Sequence, residues 1–372
     1  MKLSTSKLEL QSALQKLSKA TPTRSTLPIL SCVLFEIRDS ETILRTTDLE
    51  ITIVVSLPAS IETQGPTAIP LQTLLDITTE LPEDARINLS ADENNKIKMS
   101  SEVGTYDIMG KPADEFPAVP EVDNRKSVGV SSGALNDLIK KTVFAVSRDE
   151  LKPALTGVLF RFGEEELTGV ATDGHRLVRY ARKDHKAAEF SGDVIVPKKF
   201  LNLLLNVLKE DSATELWMGD NHMTAAIDGD TYFTRIIDER FPDFDSVIPK
   251  DNDKELIVDR MALLSAVRRV SIFSNRSTHQ IALRIDQGQI QITTEDPEKS
   301  SKAKEEIVGK YSGEDLTIGY NAAYLKDILS QAKDEKLKIK LKTAISAALF
   351  HPTKQRENEN LTMLLMPIRL ND

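Results

Sequence analysis

The sequence predicts an α+β chain of three similar domains, each with two helices packed on antiparallel sheet. Two observations predict this. Sequence markers recur three times along the 372 residues, and between them the apolar spacing passes from helix to strand in the same order.

The repeat comes first because it fixes the architecture. The strand-like run Leu34-Phe35-Glu36-Ile37 returns as Leu159-Phe160-Arg161-Phe162 and as Leu283-Arg284-Ile285, in steps of 125 and 124 residues. Thr47-Asp48 returns as Thr172-Asp173 and Thr294-Glu295, so the acidic residue reads as a turn-former shared by all three copies. Ile69-Pro70, Val196-Pro197 and Ile318-Gly319 each end a strand ahead of a helix-like run, and Phe116-Pro117 matches Phe241-Pro242. The register gives domains at 1–122, 123–250 and 251–372, each large enough for its own core.

The first helices follow Leu8, Leu10, Ala13, Leu14 and Leu17, then Leu135, Leu138, Ile139, Val143 and Val146, then Met261, Leu264, Ala266, Val267 and Val270. Ser131 or Ser132 is placed to cap the middle one. Second helices are expected at 71–80, 197–209 and 321–332, with Pro197 suited to a first turn. Between them lie β-rich runs such as Glu50-Ile51-Thr52-Ile53-Val54-Val55.

Composition bounds the function. Apolar residues at 40% and charged residues at 28% describe an ordinary globular chain. No stretch approaches the ~18 consecutive apolar residues of a membrane span. The start, Met1 to Lys7, lacks the apolar core of a signal peptide. Cys32, the only cysteine, sits in an apolar segment as a small hydrophobe. The cytoplasm is the expected compartment.

The net charge of −9 speaks against a chain coated in basic residues. Its distribution points the other way. The expected helices and their exits hold sixteen Lys and Arg against six Asp and Glu, in a chain whose totals are 48 and 57. Helices lining one surface would attract phosphates without reading bases. Aromatic residues at 5% are too few for a single-strand stacking platform.

The most enzyme-like cluster is Ala171-Thr172-Asp173-Gly174-His175-Arg176-Leu177. One reading is a metal-dependent hydrolase using Asp173 and His175. That reading needs a nucleophile or a metal, yet His185, His222, His279 and His351 are scattered singly, and no phosphate or dinucleotide fingerprint is present. The favoured reading is a turn with a binding rim peculiar to the second copy, with no catalytic residue, no metal and no cofactor. Near the end, Leu361 to Leu370 is almost continuously apolar and reads as a last buried strand. Its Met366-Pro367-Ile368-Arg369-Leu370 portion suits an adaptable groove for short peptides.

Together Leu27-Pro28-Ile29-Leu30, Thr47-Asp48-Leu49-Glu50, Ala171 to Leu177, Val194-Ile195-Val196-Pro197-Lys198-Lys199, Phe241-Pro242-Asp243-Phe244 and Met366 to Leu370 resemble the bacterial DNA polymerase III beta subunit, the sliding-clamp family, over essentially the whole chain. The resemblance implies a non-catalytic processivity factor, a head-to-tail homodimer closed into a six-domain ring around duplex DNA. Helices line the hole and sheets form the wall. It implies DNA-facing Arg24, Arg148, Lys152, Lys198 and Lys199, and a ring seam with Tyr106, Ile108, Ile272 and Phe273. It also implies a partner-peptide pocket of Leu155, Thr172, Gly174, His175, Arg176, Leu177, Pro242, Val247, Ser346, Leu364, Met366, Pro367, Ile368, Arg369 and Leu370. The implied partners are the polymerase III alpha subunit, the clamp loader, repair polymerases, mismatch-repair proteins and ligase, with no membrane. A clamp specialised for damaged DNA is the related alternative.

Some positions depart from the family pattern. Ser246 stands where arginine is common and Thr278 where an aromatic is frequent, so peptide preference is expected to shift. Asn371-Asp372 extends the chain past the usual terminal leucine. At the seam, Glu102 and Asp107 face Lys302 and Lys304 in a rearranged polarity.

Overall fold

The first and third copies open with a strand that runs directly into an amphipathic helix, and in the second copy residues 129–131 link the two. The computed structural model describes residues 1–22, 24–38, 40–119, 124–183 and 188–370. His185, Asn371, Asp372 and the expected first boundary at 122/123 lie outside the described residues.

The first copy runs β1 (Lys2–Ser6), α1 (Lys7–Leu17), β2 (Cys32–Arg38), β3 (Glu41–Thr47), β4 (Ile51–Ser56), β5 (Ser60–Thr63), β6 (Gly65–Pro70), α2 (Leu71–Glu80), β7 (Arg86–Ala91), β8 (Lys96–Ser100) and β9 (Thr105–Met109). The second runs β10 (Lys126–Val128), α3 (Ser132–Thr142), β11 (Gly157–Phe162), β12 (Leu167–Thr172), β13 (Arg176–Arg182), β14 (Gly192–Pro197), α4 (Lys198–Val207), β15 (Thr214–Met218), β16 (His222–Ile227) and β17 (Asp230–Arg235). The third runs β18 (Lys254–Asp259), α5 (Arg260–Val270), β19 (Gln280–Ile285), β20 (Gln289–Asp296), β21 (Ser301–Ser312), β22 (Leu316–Asn321), α6 (Ala322–Gln331), β23 (Lys336–Leu341), β24 (Ala348–Pro352) and β25 (Glu359–Leu365). The recurring Leu-Phe marker is the same strand each time: β2 lies between β3 and β6, β11 between β12 and β14, and β19 between β20 and β22.

Local chemistry explains the helix starts. Ser6 and Glu9 form a reciprocal capping box on α1, which buries Leu10, Ala13, Leu14 and Leu17. Asp259 caps α5 through the Ala262 N–H, and Asn321 caps α6 through Ala323 and Tyr324. Ser132 opens α3 with its hydroxyl on the Ser212 carbonyl and Thr214, so of the two cap candidates Ser131 holds the position before the helix. Two expectations shift. Pro197 closes β14, and α4 ends at Val207, short of Lys209. Ile318-Gly319 lies inside β22, so the strand-to-helix junction of the third copy is Asn321.

The compact units are not the repeats. One unit comprises 1–133, 188–190 and 203–236, the other 134–187, 191–202 and 237–372. The first holds the sheet β5-β1-β7-β8-β9 and the sheet β10-β15-β16-β17-β4-β3-β2-β6. Its β17 pairs with β4, so strands of two copies share one ladder. Cys32 is buried there with Ile29, Leu30, Leu34, Ala68 and Phe116, and burial pushes its thiol pKa up.

The second unit holds a sheet of twelve strands, β14-β11-β12-β13-β25-β24-β23-β18-β21-β20-β19-β22. Here β13 pairs with β25 along Arg176–Arg182. Strand β21 changes partner midway: 301–308 pairs with β20 and 309–312 with β18. Gly309 marks the change, since a Cβ there would lie 2.8 Å from Ile290 Cδ1 and 3.0 Å from Leu256 Cδ1. The remaining edge of 301–308 has no strand partner among the described residues. No helix among the described residues is long and apolar enough to cross a membrane.

Candidate functional site

The turn between β12 and β13 is built by side chains returning to their own backbone. Thr172 Oγ1 donates to the Arg176 carbonyl at 2.7 Å and accepts from the Gly174 N–H at 3.1 Å. Asp173 Oδ1 accepts from the N–H groups of His175 and Arg176, both at 3.0 Å. Gly174 takes φ +88°, a conformation that favours glycine. The first copy repeats this geometry. Thr47 bonds the Ile51 carbonyl, Asp48 accepts from Glu50 and Ile51, and Leu49 takes φ 76°. The third does not: Thr294-Glu295 lies within β20, with the Thr294 hydroxyl on the Gln280 carbonyl, so the acidic turn-former belongs to two copies rather than three.

This turn forms one wall of a cavity of about 610 Å³ within the second unit. Of the expected residues, Leu155, Thr172, Gly174, His175, Arg176, Leu177, Pro242, Val247, Leu364 and Met366 line it. The floor is a core cluster in which Leu177, Leu349, Leu364 and Phe244 pack with Leu159, Val170 and Ile195. The far wall is the 242–249 loop, pinned by Phe244, which lies edge-on to Phe241 and under the Arg161 guanidinium. Arg161 is itself held in a two-point bond to Asp193, at 2.8 and 2.9 Å. Met366 stands at the mouth, its N–H on the His175 carbonyl at 2.8 Å.

Several expected members fall elsewhere. Ser346 bonds Thr343, and it is its neighbour Ala347 that lines the cavity. Pro367, Ile368 and Arg369 are not in the lining. The chain instead crosses to β22, where the Ile368 N–H donates to the Gly319 carbonyl at 2.9 Å. Leu370 and Thr278 line a separate cavity of about 630 Å³ in the third copy. Arg176 borders the groove with each of its three guanidinium nitrogens bonded within the protein. Asp243 and Phe244 of the Phe-Pro-Asp-Phe segment, whose motif had signalled only its proline, join the lining with Pro249 further along the loop, and Ser246, expected to shift peptide preference, lines it too.

The hydrolase reading finds no support. Asp173 is occupied as a turn-former and ion-pair partner, and His175 stacks on Tyr324 with ring centroids 5.8 Å apart. Among the described residues no His, Cys, Asp or Glu group is arranged to hold a metal.

The cationic candidates divide by unit. Arg24 is exposed in the first; Arg148, Lys152 and Lys199 are exposed and Lys198 half-buried in the second. Burial lowers the Lys198 pKa, and the neighbouring Arg148 and Arg176 lower it further. Part of the helical excess is neutralised: Lys16 pairs with Asp230, Lys141 with Glu359 and Arg269 with Glu305. At the expected seam, Ile272 is 77% exposed, and Phe273 and Tyr106 are partly open. Ile108 is buried beneath its own sheet, and the exposed apolar groups on that side are Val103 and Met109. Glu102 accepts from the Arg86 N–H, and Lys304 pairs with Glu306.

Fold and site thus define a binding protein of three α+β copies with an apolar groove. The chain matches the N-terminal domain of the DNA polymerase III beta subunit over residues 1–120, its central domain over 129–243 and its C-terminal domain over 245–369. It is 32% identical to the beta sliding clamp of Pseudomonas putida over 360 residues, 96% of each chain. It is similar throughout to the crystal structure of the DNA polymerase III subunit beta from Pseudomonas aeruginosa, with a TM-score of 0.93, 29% identity and 100% of both chains covered. A second Pseudomonas aeruginosa structure, a sliding clamp bound to griselimycin, matches with a TM-score of 0.91 and 30% identity, again over 100% of both chains. The chain belongs to the DNA polymerase III beta subunit family, the beta sliding clamps, which are non-catalytic processivity factors of DNA replication.

Proposed function

We propose that the chain closes as a head-to-tail homodimer into a six-domain ring around duplex DNA in the cytoplasm, built of domains 1–122, 123–250 and 251–372. Its groove takes short apolar peptides of the polymerase III alpha subunit, the clamp loader, repair polymerases, mismatch-repair proteins and ligase. The observation that carries this reading is the groove, with an apolar floor and an adaptable methionine at its mouth. The griselimycin complex of the Pseudomonas clamp supports a ligand site in this family.

Two sheet edges support the ring. The outer edge of β9 and the 301–308 edge of β21 lack strand partners among the described residues, and exposed Val103, Met109, Ile272, Phe273 and Val308 accompany them. One edge belongs to the first copy and the other to the third, so a heterologous contact made twice closes on itself. Glu102 and Asp107 on one side complement Lys302 and Lys304 on the other, a partly reversed polarity. Exposed pairs contribute only ~0–1 kcal/mol each, leaving closure to the apolar contact. Arg24, Arg148, Lys152, Lys198 and Lys199 would meet phosphates, and a closed ring allows those contacts to stay weak.

Combining His175→Ala with Met366→Ala is expected to abolish calorimetric binding of an alpha-subunit peptide while the native mass stays that of a dimer. Unchanged affinity would remove the groove from the reading. The loaded protein should remain on nicked circular DNA and leave linear DNA through its ends. Equal retention on both would overturn encirclement.

A further inference from the structure

We infer that Asp327, which lies outside the groove on α6, is a positioning residue that holds the groove's His175 wall in place through Arg176 and Tyr324. The inference rests on the groove being the ligand site.

Arg176 is tied into the protein at every guanidinium nitrogen. It is 7% exposed. Nε donates to Asp173 at 3.1 Å, Nη1 to Asp327 at 2.6 Å and Nη2 to the Phe144 carbonyl at 2.8 Å. Its plane is also covered, with the Tyr324 ring 4.7 Å and the Phe144 ring 5.3 Å from the guanidinium carbon. Arg176 is therefore a brace between the 172–177 turn and α6 rather than a recognition group.

Asp327 and Tyr324 stand three residues apart on α6, one turn of the same face. Tyr324 stacks on His175 with an interplanar angle of 18°, and His175 lines the groove. Asp327 thus anchors the helix end of a short chain of contacts that finishes at the groove. Charge reinforces the geometry. Lys198 lies in the field of two further cations, Arg148 and Arg176, and of two carboxylates, Asp173 and Asp327. Neutralising Asp327 leaves three cations facing one, which separates Arg176 from its neighbours and frees α6 from the turn.

The test titrates griselimycin and an alpha-subunit peptide into full-length wild type, Asp327→Asn and Asp327→Glu, each with and without His175→Ala. Asp327→Asn is expected to weaken binding roughly 3- to 10-fold, with Asp327→Glu restoring most of it. The loss should vanish in the His175→Ala background, because the wall through which Asp327 acts is then missing. A mere loss of stability would persist in that background and would not be rescued by glutamate. Wild-type binding by Asp327→Asn, failed rescue, or a loss that simply adds to that of His175→Ala would each overturn the inference. If neither probe binds wild type, the groove reading itself fails and this inference falls with it.

Discussion

Glu359 shows how a single carboxylate ties neighbouring copies together. It lies on β25 of the third copy, and the Lys141 ammonium on α3 of the second reaches it at 2.7 Å while also covering the Tyr180 ring at 3.9 Å. Burial alone would raise the Glu359 pKa, but the bond and charge of Lys141, helped by Tyr180 and Arg356, outweigh it and hold the carboxyl below its ordinary 4.5. The folded state then binds this proton more weakly than the unfolded chain. The pair's contribution is complete above about pH 4.5 and is lost as pH falls through the lower folded value. Melting temperatures should therefore fall more steeply below pH 4.5 for wild type than for Glu359→Gln. Parallel curves would mean that the pair contributes nothing. At this scale the sequence is a partial guide. His175 and Met366 were legible as groove residues because their types and spacing suggest recognition. Arg176 was not legible as a brace, because sequence reports a charge and not its burial. Asp327 was invisible, because 151 residues separate it from the arginine it serves.

Elements were legible wherever their ends carry local chemistry. The helix expected at 71–80 is α2, Leu71–Glu80, whereas the proline-led helix expected at 197–209 loses both ends to the strand before it and the loop after it. Alignment of the repeats placed Thr294-Glu295 at a turn but could not tell that in the third copy the pair stays within β20. Nor could it show that β21 divides between two partners, a choice made by packing around Gly309. That division leaves Val308 82% exposed on an open edge. Val308→Lys is expected to raise the dimer dissociation constant in analytical ultracentrifugation while leaving the melting of the isolated chain unchanged. Unaltered dissociation would place the seam elsewhere.

For the whole molecule, the threefold repeat was legible and the two compact units were not. Repetition records how the chain is written, whereas compactness follows hydrogen-bonded ladders, and these cross from copy to copy at β17–β4 and β13–β25. The charge count met a similar limit. It located the helical lysines and arginines but not the strand carboxylates that neutralise Lys16, Lys141 and Arg269. The shared ladders also govern how such a chain can be recombined. A chimera spliced at residue 250 would ask Arg176–Arg182 of one parent to find register with Glu359–Leu365 of another, side chain by side chain. A crossover inside the middle copy, between β14 and β15, keeps β11 to β14 apart from β15 to β17 but severs β13 from β25, β17 from β4 and β15 from β10. Exchange therefore succeeds only between parents whose facing strands already agree, and the copies are inherited as a set although they read as three.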